Sequence, residues 1–481
     1  MNLPLQKNKT DILFVNPPVS QEERYGVKFK AGGQTLQTGL AVLAAITRDN
    51  GYATRILDAT ALSMSYDETV EKIIEIDPRY IGITAVTISI FNAVEIIKRL
   101  KANGVEAKIF LGGPHITAAP KETFEKFPEI EIGAIGEGDI TILELIEACD
   151  KNLDLGNVKG LVFRKGSEII ITPPREPFMD LDSLPLPAWD LFPDIAKYYY
   201  PPAHTVRRLP ATVLITSRGC PGLCTYCDNK VFGRRLRCYS ADYVIRMIKH
   251  LQKEYGMREI QFRDDNFLVF RERLKELCNR MIAEKMDIVW SCAGRVDMIN
   301  KETLDLMKKA GCWQIWYGIE SGSQKVLNAI KKNTSPEKIR RAITLTKAAG
   351  ISPCGFFMIG MPTETEEDIK ETIDLLLELP LDEFHMTHLT PLPGSEIHAT
   401  AFQFGEFEDN WKKMSNWSTI FVPHGLSKEK LTYYSNLAFK KFYFRPRIIW
   451  QYLLKIRTPR HALVYFKAFL ALVSYVTQKK R

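Results

Sequence analysis

Apolar residues follow two different periods along the first 150 positions. Runs such as Ile12-Leu13-Phe14-Val15, stopped by Asn16-Pro17-Pro18, lack polar alternation, as a strand covered on both faces requires. Between them, apolar positions fall three or four apart, as in the stretch GLAVLAAITRDN over 39–50, which ends at Gly51. The pattern predicts strands over 11–15, 53–58, 80–87 and 107–111, and helices over 39–50, 66–76, 90–102 and 121–126. Strand and helix in regular alternation make a Rossmann-like parallel sheet over 1–150, with helices on both faces. Ligands of such sheets lie beyond the carboxyl ends of the strands.

The alternation breaks over 151–208, where Pro173-Pro174, Pro177, Pro185, Pro187, Pro193 and Pro201-Pro202 punctuate an inter-domain connector with a small hairpin near 160–171. Trp189, Phe192 and Tyr198-Tyr199-Tyr200 argue for ordered packing there, since a flexible linker is poor in aromatics. A second alternation then runs for six units, with strands over 212–216, 259–263, 288–292, 313–319, 353–359 and 383–389. Helices over 241–255, 270–285, 301–310, 336–349 and 366–379 separate them. The fold class is therefore α/β, with a partial (β/α)6 barrel over 209–425 and a helical region over 426–481.

Composition adds exclusions. With 45% hydrophobic and 25% charged residues in 481, the chain is neither disordered nor collagen-like. The net charge of +8 is unevenly placed: residues 430–481 hold twelve Lys or Arg and no Asp or Glu, leaving −4 for the first 429. That body gives no nucleic-acid footprint. The nine cysteines, an odd number, do not make a secreted disulfide framework, and the N-terminus lacks a long apolar run. The longest apolar candidate, 462–476, is too short to span a bilayer and contains Lys467. A soluble cytoplasmic protein is expected.

The sharpest chemical feature follows the first barrel strand, in the order Ser217-Arg218-Gly219-Cys220-Pro221-Gly222-Leu223-Cys224-Thr225-Tyr226-Cys227. Three cysteines spaced CxxxCxxC on one loop can turn their sulfurs inward, and the glycines let the backbone wrap a bulky object. Soft thiolates select zinc, copper(I) or an iron–sulfur cluster. Three local ligands on a four-iron cube leave one iron open for substrate. A zinc site would need a fourth ligand, for which Cys238 or His250 are available. Reduced core thiols are the plainest alternative, and the remaining cysteines read as small hydrophobes.

Strand, CxxxCx-aromatic-C loop and helix opening a six-unit barrel resemble the radical S-adenosylmethionine (SAM) superfamily. The resemblance implies that Cys220, Cys224 and Cys227 hold a 4Fe-4S cluster whose open iron chelates SAM, which is cleaved reductively to a 5′-deoxyadenosyl radical. It also implies SAM contacts from Tyr226, Asp264, Asp265, Arg295, Glu320 and Gly360, all at or beside strand ends. Plainer roles exist for each: Asp264 and Asp265 as loop acids, Glu320 as the partner of a nearby lysine. His385 and His388 near the sixth strand could face the substrate or serve structure.

Leu111-Gly112-Gly113-Pro114-His115 resembles the glycine pair of cobalamin-binding domains, and Thr84-Ala85-Val86 stands where these carry a Ser-x-Leu element. The resemblance implies that Thr84, Val86, Gly112, Gly113, Pro114 and His115 bind cobalamin. The place of the cobalt-ligating DxHxxG motif reads NPPVSQEERYG, without histidine, so the usual imidazole is missing. Gly136-Glu137-Gly138-Asp139 ahead of a helical pattern adds to the likeness.

Together these imply a cobalamin-dependent radical SAM enzyme of the methylase branch. One SAM supplies the methyl group, and a second supplies the radical that abstracts hydrogen from an unactivated carbon. The alternatives are radical oxidation or cyclisation of a tetrapyrrole- or lipid-like substrate, and a non-catalytic zinc or membrane-surface scaffold. A flavodoxin or ferredoxin is the implied electron donor, with no nucleic-acid partner. The basic tail from Lys430, interleaved with aromatics, suits either helices packed on the barrel or peripheral contact with an anionic membrane.

Overall fold

The computed structural model describes residues 10–25, 32–202, 205–415 and 417–455. They divide into two compact units. The first holds the chain up to Ser20, Leu36–Tyr199 and Asp228–Arg237; the second holds Gln21–Thr35, Tyr200–Cys227 and the chain from Cys238.

The first unit is built on a seven-stranded sheet. Its strands are β1 (Ile12–Asn16), β2 (Thr54–Asp58), β3 (Tyr80–Thr84), β4 (Lys108–Gly112), β5 (Ile132–Ala134), β6 (Leu161–Lys165) and β7 (Glu168–Ile171), in the order β2-β1-β3-β4-β5-β6-β7. The first five pair in parallel, and every residue of β1 is buried, which is why that strand reads as continuous hydrophobicity. The helices are α1 (Thr38–Asp49), α2 (Tyr66–Ile76), α3 (Ile90–Ala102), α4 (Pro114–Ala118), α5 (Pro120–Lys126) and α6 (Gly138–Asp150). A capping box of Ser65 and Glu68 starts α2 and satisfies two backbone donors that the helix end leaves open. The hairpin of the proline-rich stretch is β6 and β7, which add antiparallel strands to the sheet edge. Strand β3 ends at Thr84, short of Thr87, because Thr87–Ser89 already turns toward α3.

The second unit contains six parallel strands in sequence order. They are β8 (Ala211–Leu214), β9 (Glu259–Phe262), β10 (Val289–Gly294), β11 (Cys312–Glu320), β12 (Ser352–Ile359) and β13 (Glu383–His388). The edge strands β8 and β13 do not pair, so the curl stays open. Helices α7 (Ala241–Tyr255), α8 (Arg271–Ala283), α9 (Lys301–Lys309), α10 (Pro336–Ala348) and α11 (Glu366–Glu378) connect them. Ser240 caps α7, and Gly256, in the left-handed region at φ 63°, stops it. Phe262, Phe267 and Trp290 pack as one aromatic core, with the two phenylalanine rings 4.4 Å apart. Burial of each such ring is worth about 2–3 kcal/mol. Two further helices follow, α12 (Lys428–Tyr443) and α13 (Pro446–Lys455). Phe439 and Phe442 of α12 pack on Phe384 of the edge strand β13 and cover it.

Candidate functional site

In the second unit the cysteine loop leaves β8 through a buried polar knot. Asp264, at the end of β9, accepts hydrogen bonds from the Thr216 backbone N–H and hydroxyl, both at 2.9 Å, and from the Ser217 hydroxyl at 2.5 Å. Arg273 of α8 reaches the Thr216 carbonyl at 3.0 Å and its hydroxyl at 2.8 Å. Burial raises the Asp264 carboxyl pKa, and the Arg273 guanidinium works against that. Asp264 is thus turned back into the fold, where it fixes the entry to the loop. Asp265 instead accepts the Gly219 backbone N–H inside the loop; its pKa is raised by desolvation and by its neighbour Asp264.

The loop is anchored at its centre. Thr225 N–H donates to the Ile330 carbonyl, and Ile397 N–H donates to the Thr225 carbonyl. Cys220 and Cys224 are half-buried and Cys227 is exposed. A Cβ built on Gly222 would meet Cys220 Sγ at 3.4 Å, Cys224 Sγ at 3.8 Å and Arg295 Nη1 at 3.9 Å. Two sulfurs and a guanidinium therefore border the space that this glycine leaves open. Arg295 is held by Asp297 at 3.0 and 3.2 Å and by the Lys332 carbonyl at 2.8 Å. Burial lowers its pKa, but Asp297 and the thiols of Cys224 and Cys220 outweigh that and raise it. Among the described residues no three or more His, Cys, Asp or Glu converge as one metal ion needs. A four-iron cube spreads its ligand sulfurs wider than one ion does, and the thiols of Cys220 and Cys224 beside a fixed cation, with Cys227 on the same loop, suit an anionic cluster.

Behind the loop, Tyr226, Glu320 and Lys332 form a closed triangle. Tyr226 donates its hydroxyl to Glu320 Oε1 at 3.0 Å, and Lys332 reaches Glu320 Oε1 at 2.8 Å and the Tyr226 oxygen at 3.0 Å. Burial and then the Glu320 charge push the Tyr226 hydroxyl well above its ordinary pKa. Glu320 is placed by a register shift between Gly318 and Glu320 in the β11–β12 ladder and has φ 65°. Such bulges re-aim side chains, and a non-glycine residue there stores about 1–3 kcal/mol of strain. Gly318 provides the room: a Cβ there would lie 2.6 Å from Glu320 Oε1 and 2.7 Å from Lys332 Nζ. The lysine partner foreseen for Glu320 is therefore present, and the same carboxylate also reaches Tyr226.

Gly360 closes β12 at φ 80°, and its N–H and that of Met361 donate to one oxygen of the buried Glu364 carboxyl group at 2.5 and 3.1 Å. Burial raises the Glu364 pKa to about 8. The sequence reading missed Glu364; the signal was a glutamate four residues past the glycine that ends a strand. His388 bonds Thr419 at 2.5 Å, a structural partner.

The glycine pair of the first unit splits into two roles. Gly113, at φ 101°, packs so closely that a Cβ would sit 2.7 Å from the Ala85 carbonyl and 2.8 Å from Thr84 Oγ1. Gly112, beside it at the carboxyl end of β4, has nothing within 4 Å of its Cβ position. Gly136, past β5, is equally open, and Val86, past β3, is 45% exposed. These three line an open edge at the strand ends, the cradle a bulky ligand would need. Pro114 begins α4, while His115 is fully buried between Thr87 and Thr123, each 3.2 Å from a ring nitrogen. Burial, helped by Lys126, lowers its pKa to about 4. His115 is turned into the fold, away from the open edge. Glu137 pairs with Arg237 at 2.5 Å, side chains 7% and 1% exposed.

Two family models match the chain. The Radical SAM superfamily model matches residues 214–376, and the B12 binding domain model matches residues 26–146. An uncharacterized methyltransferase of Pyrococcus horikoshii is 31% identical over 440 residues, covering 91% of this chain and 93% of its own. The anaerobic magnesium-protoporphyrin IX monomethyl ester cyclase of Rubrivivax gelatinosus is 27% identical over 90% of this chain and 78% of its own. Among solved structures, the cobalamin-dependent SAM radical enzyme OxsB, with aqua-cobalamin and SAM bound, has a TM-score of 0.74 at 18% identity. That match covers 97% of this chain and 72% of OxsB. The radical SAM methyltransferase TsrM of Kitasatospora setae, with cobalamin and a [4Fe-4S] cluster, has a TM-score of 0.66 at 17% identity over 87% and 80% of the two chains.

Proposed function

The chain belongs to the cobalamin-binding radical SAM enzymes, and from that premise we propose that it is a methyltransferase acting on an unactivated carbon of a small or lipid-like molecule. The observation that carries the reading is the loop of Cys220, Cys224 and Cys227, on which the first two sulfurs border Gly222 with Arg295 fixed beside them. When bound, the cluster supplies the electron that cleaves SAM, and cobalamin supplies the carrier for the methyl group.

The chain's own residues hold and orient. Cys220, Cys224 and Cys227 ligate the cluster. Arg295 offsets its negative charge, and Asp264, through Thr216 and Ser217, keeps the loop entry in register. Glu320, held by Lys332 and Tyr226, offers its second oxygen, Oε2, to the hydroxyls or amino group of SAM. Asp265 is the second carboxylate for that role. The Gly360 turn, braced by Glu364, shapes the floor beside the adenine. Gly112 and Val86, with Thr84 at the same strand ends, line the corrinoid cradle. His115 fixes the loop behind it, as the Thr87 and Thr123 contacts support. A flavodoxin or ferredoxin delivers the electrons.

Anaerobic reconstitution tests the reading. Four irons and one corrinoid per chain are expected, with both 5′-deoxyadenosine and S-adenosylhomocysteine formed under reductant. Deoxyadenosine without S-adenosylhomocysteine would point instead to the oxidative or ring-closing branch, in which the cyclase of Rubrivivax gelatinosus is a relative. Intact SAM cleavage in Cys224→Ala would refute the cluster.

A further inference from the structure

Helix α13 inverts the usual pattern of a surface helix. It buries Ile448 but leaves Ile449 42%, Trp450 63%, Leu453 52% and Leu454 64% exposed. Positions 449 and 453, and 450 and 454, are each four apart, so these side chains form one outward stripe. The helix is not loose at its root: Arg445 donates to the Leu377 carbonyl and Arg447 to the Leu381 carbonyl, both at 2.8 Å. The stripe is therefore presented by a pinned element, and an apolar patch of this kind marks a surface that something covers.

The surrounding charge indicates what covers it. Arg447, three positions before Trp450 on the same helix, is exposed, as are Lys440 and Lys441 of α12. From Lys430 to the last residue the sequence has twelve Lys or Arg and no acid. A protein face would be expected to mix both signs, whereas an outward Trp-Leu stripe on a segment whose only charges are cations matches a headgroup layer with acyl chains beneath. No helix among the described residues is long and apolar enough to cross a membrane, so the contact would lie in the interface plane. We propose that α13 docks the second unit on an anionic lipid surface, with Trp450, Leu453 and Leu454 inserted and the flanking cations on lipid phosphates. This is independent of the enzymatic reading.

The test uses the full chain and two vesicle compositions, phosphatidylcholine alone and phosphatidylcholine with one quarter phosphatidylglycerol. Sedimentation with the anionic vesicles only, reversed by high salt, is expected. The combined substitution Trp450→Ser, Leu453→Ser and Leu454→Ser should weaken partitioning about tenfold with an unchanged thermal melt. Should that variant fold poorly, Lys440→Gln with Lys441→Gln gives the parallel result through charge alone, a severalfold loss. No sedimentation, or equal binding to the neutral vesicles, overturns the proposal. So does a vesicle-free dimer that the serine variant dissociates, since a second copy would then be the cover. Vesicle binding that emerges only on deleting residues 456–481 also overturns it, since that segment would then be the cover.

Discussion

Lys332 and Glu320 meet at 2.8 Å with only 8% of each side chain exposed, and both touch the hydroxyl of Tyr226, the aromatic between two loop cysteines. The ion pair thus links the end of β11 to the cysteine loop. Removing the cation would leave a buried carboxylate without its partner, which typically costs about 3–5 kcal/mol. Lys332→Met should therefore lower the denaturation midpoint and weaken SAM binding. Adding Glu320→Gln should restore part of the lost stability, because the two changes act on one interaction. Stabilities that simply add in the double-mutant cycle would refute the coupling.

The glycine pair separates folding from ligand binding. Gly113→Ala forces a Cβ to 2.7 Å from a backbone carbonyl at a positive φ, and should destabilise the first unit by about 1–3 kcal/mol. Gly112→Ala meets no atom and should change stability by less than about 1 kcal/mol. It should still lower corrinoid uptake, measured by visible absorbance, because the methyl group enters the cradle. Equal uptake by Gly112→Ala and the wild type would remove Gly112 from the site.

Glu364 makes a pH prediction. Its folded pKa is raised to about 8, against an ordinary 4.5, so the folded state keeps a proton that the unfolded chain releases. Its contribution to stability is complete below about 4.5, falls as pH rises through the window, and levels off above about 8. Glu364→Gln retains an acceptor for Gly360 and Met361 without the ionisation. The stability of the wild type relative to this variant should therefore decline between pH 5 and 8, as urea titrations can measure. A flat difference would mean the carboxyl is not held protonated.

Asp264 and Asp265 are adjacent but should respond differently. Asp264→Ala strips the buried Thr216 N–H of its acceptor, at a cost of about 1–3 kcal/mol, and loosens the strand end from which the loop starts. Reduced stability and reduced iron content should appear together. Asp265→Asn keeps an oxygen for the Gly219 N–H, so iron loading should hold while SAM affinity falls. A loss of iron in Asp265→Asn without a change in SAM affinity would reverse this assignment.

The sequence by itself determined the α/β class, because short unbroken apolar runs bounded by turn residues, such as Ile12–Val15, suit strands covered on both faces. It also determined the loop carrying Cys220, Cys224 and Cys227, since local spacing fixes which sulfurs share one turn. Tertiary structure decided what distance along the chain conceals. The strand register and the room left at Gly318 bring Lys332 to Glu320 across twelve positions. Burial, which no local pattern reports, turned Asp264 and His115 into the fold and raised the pKa of Glu364. The division of Gly112 from Gly113 likewise depends on a different strand's backbone at Ala85, and the outward stripe of α13 on which of its faces the barrel left uncovered. Spacing along a chain encodes local geometry; desolvation and close approach arise only when distant segments meet.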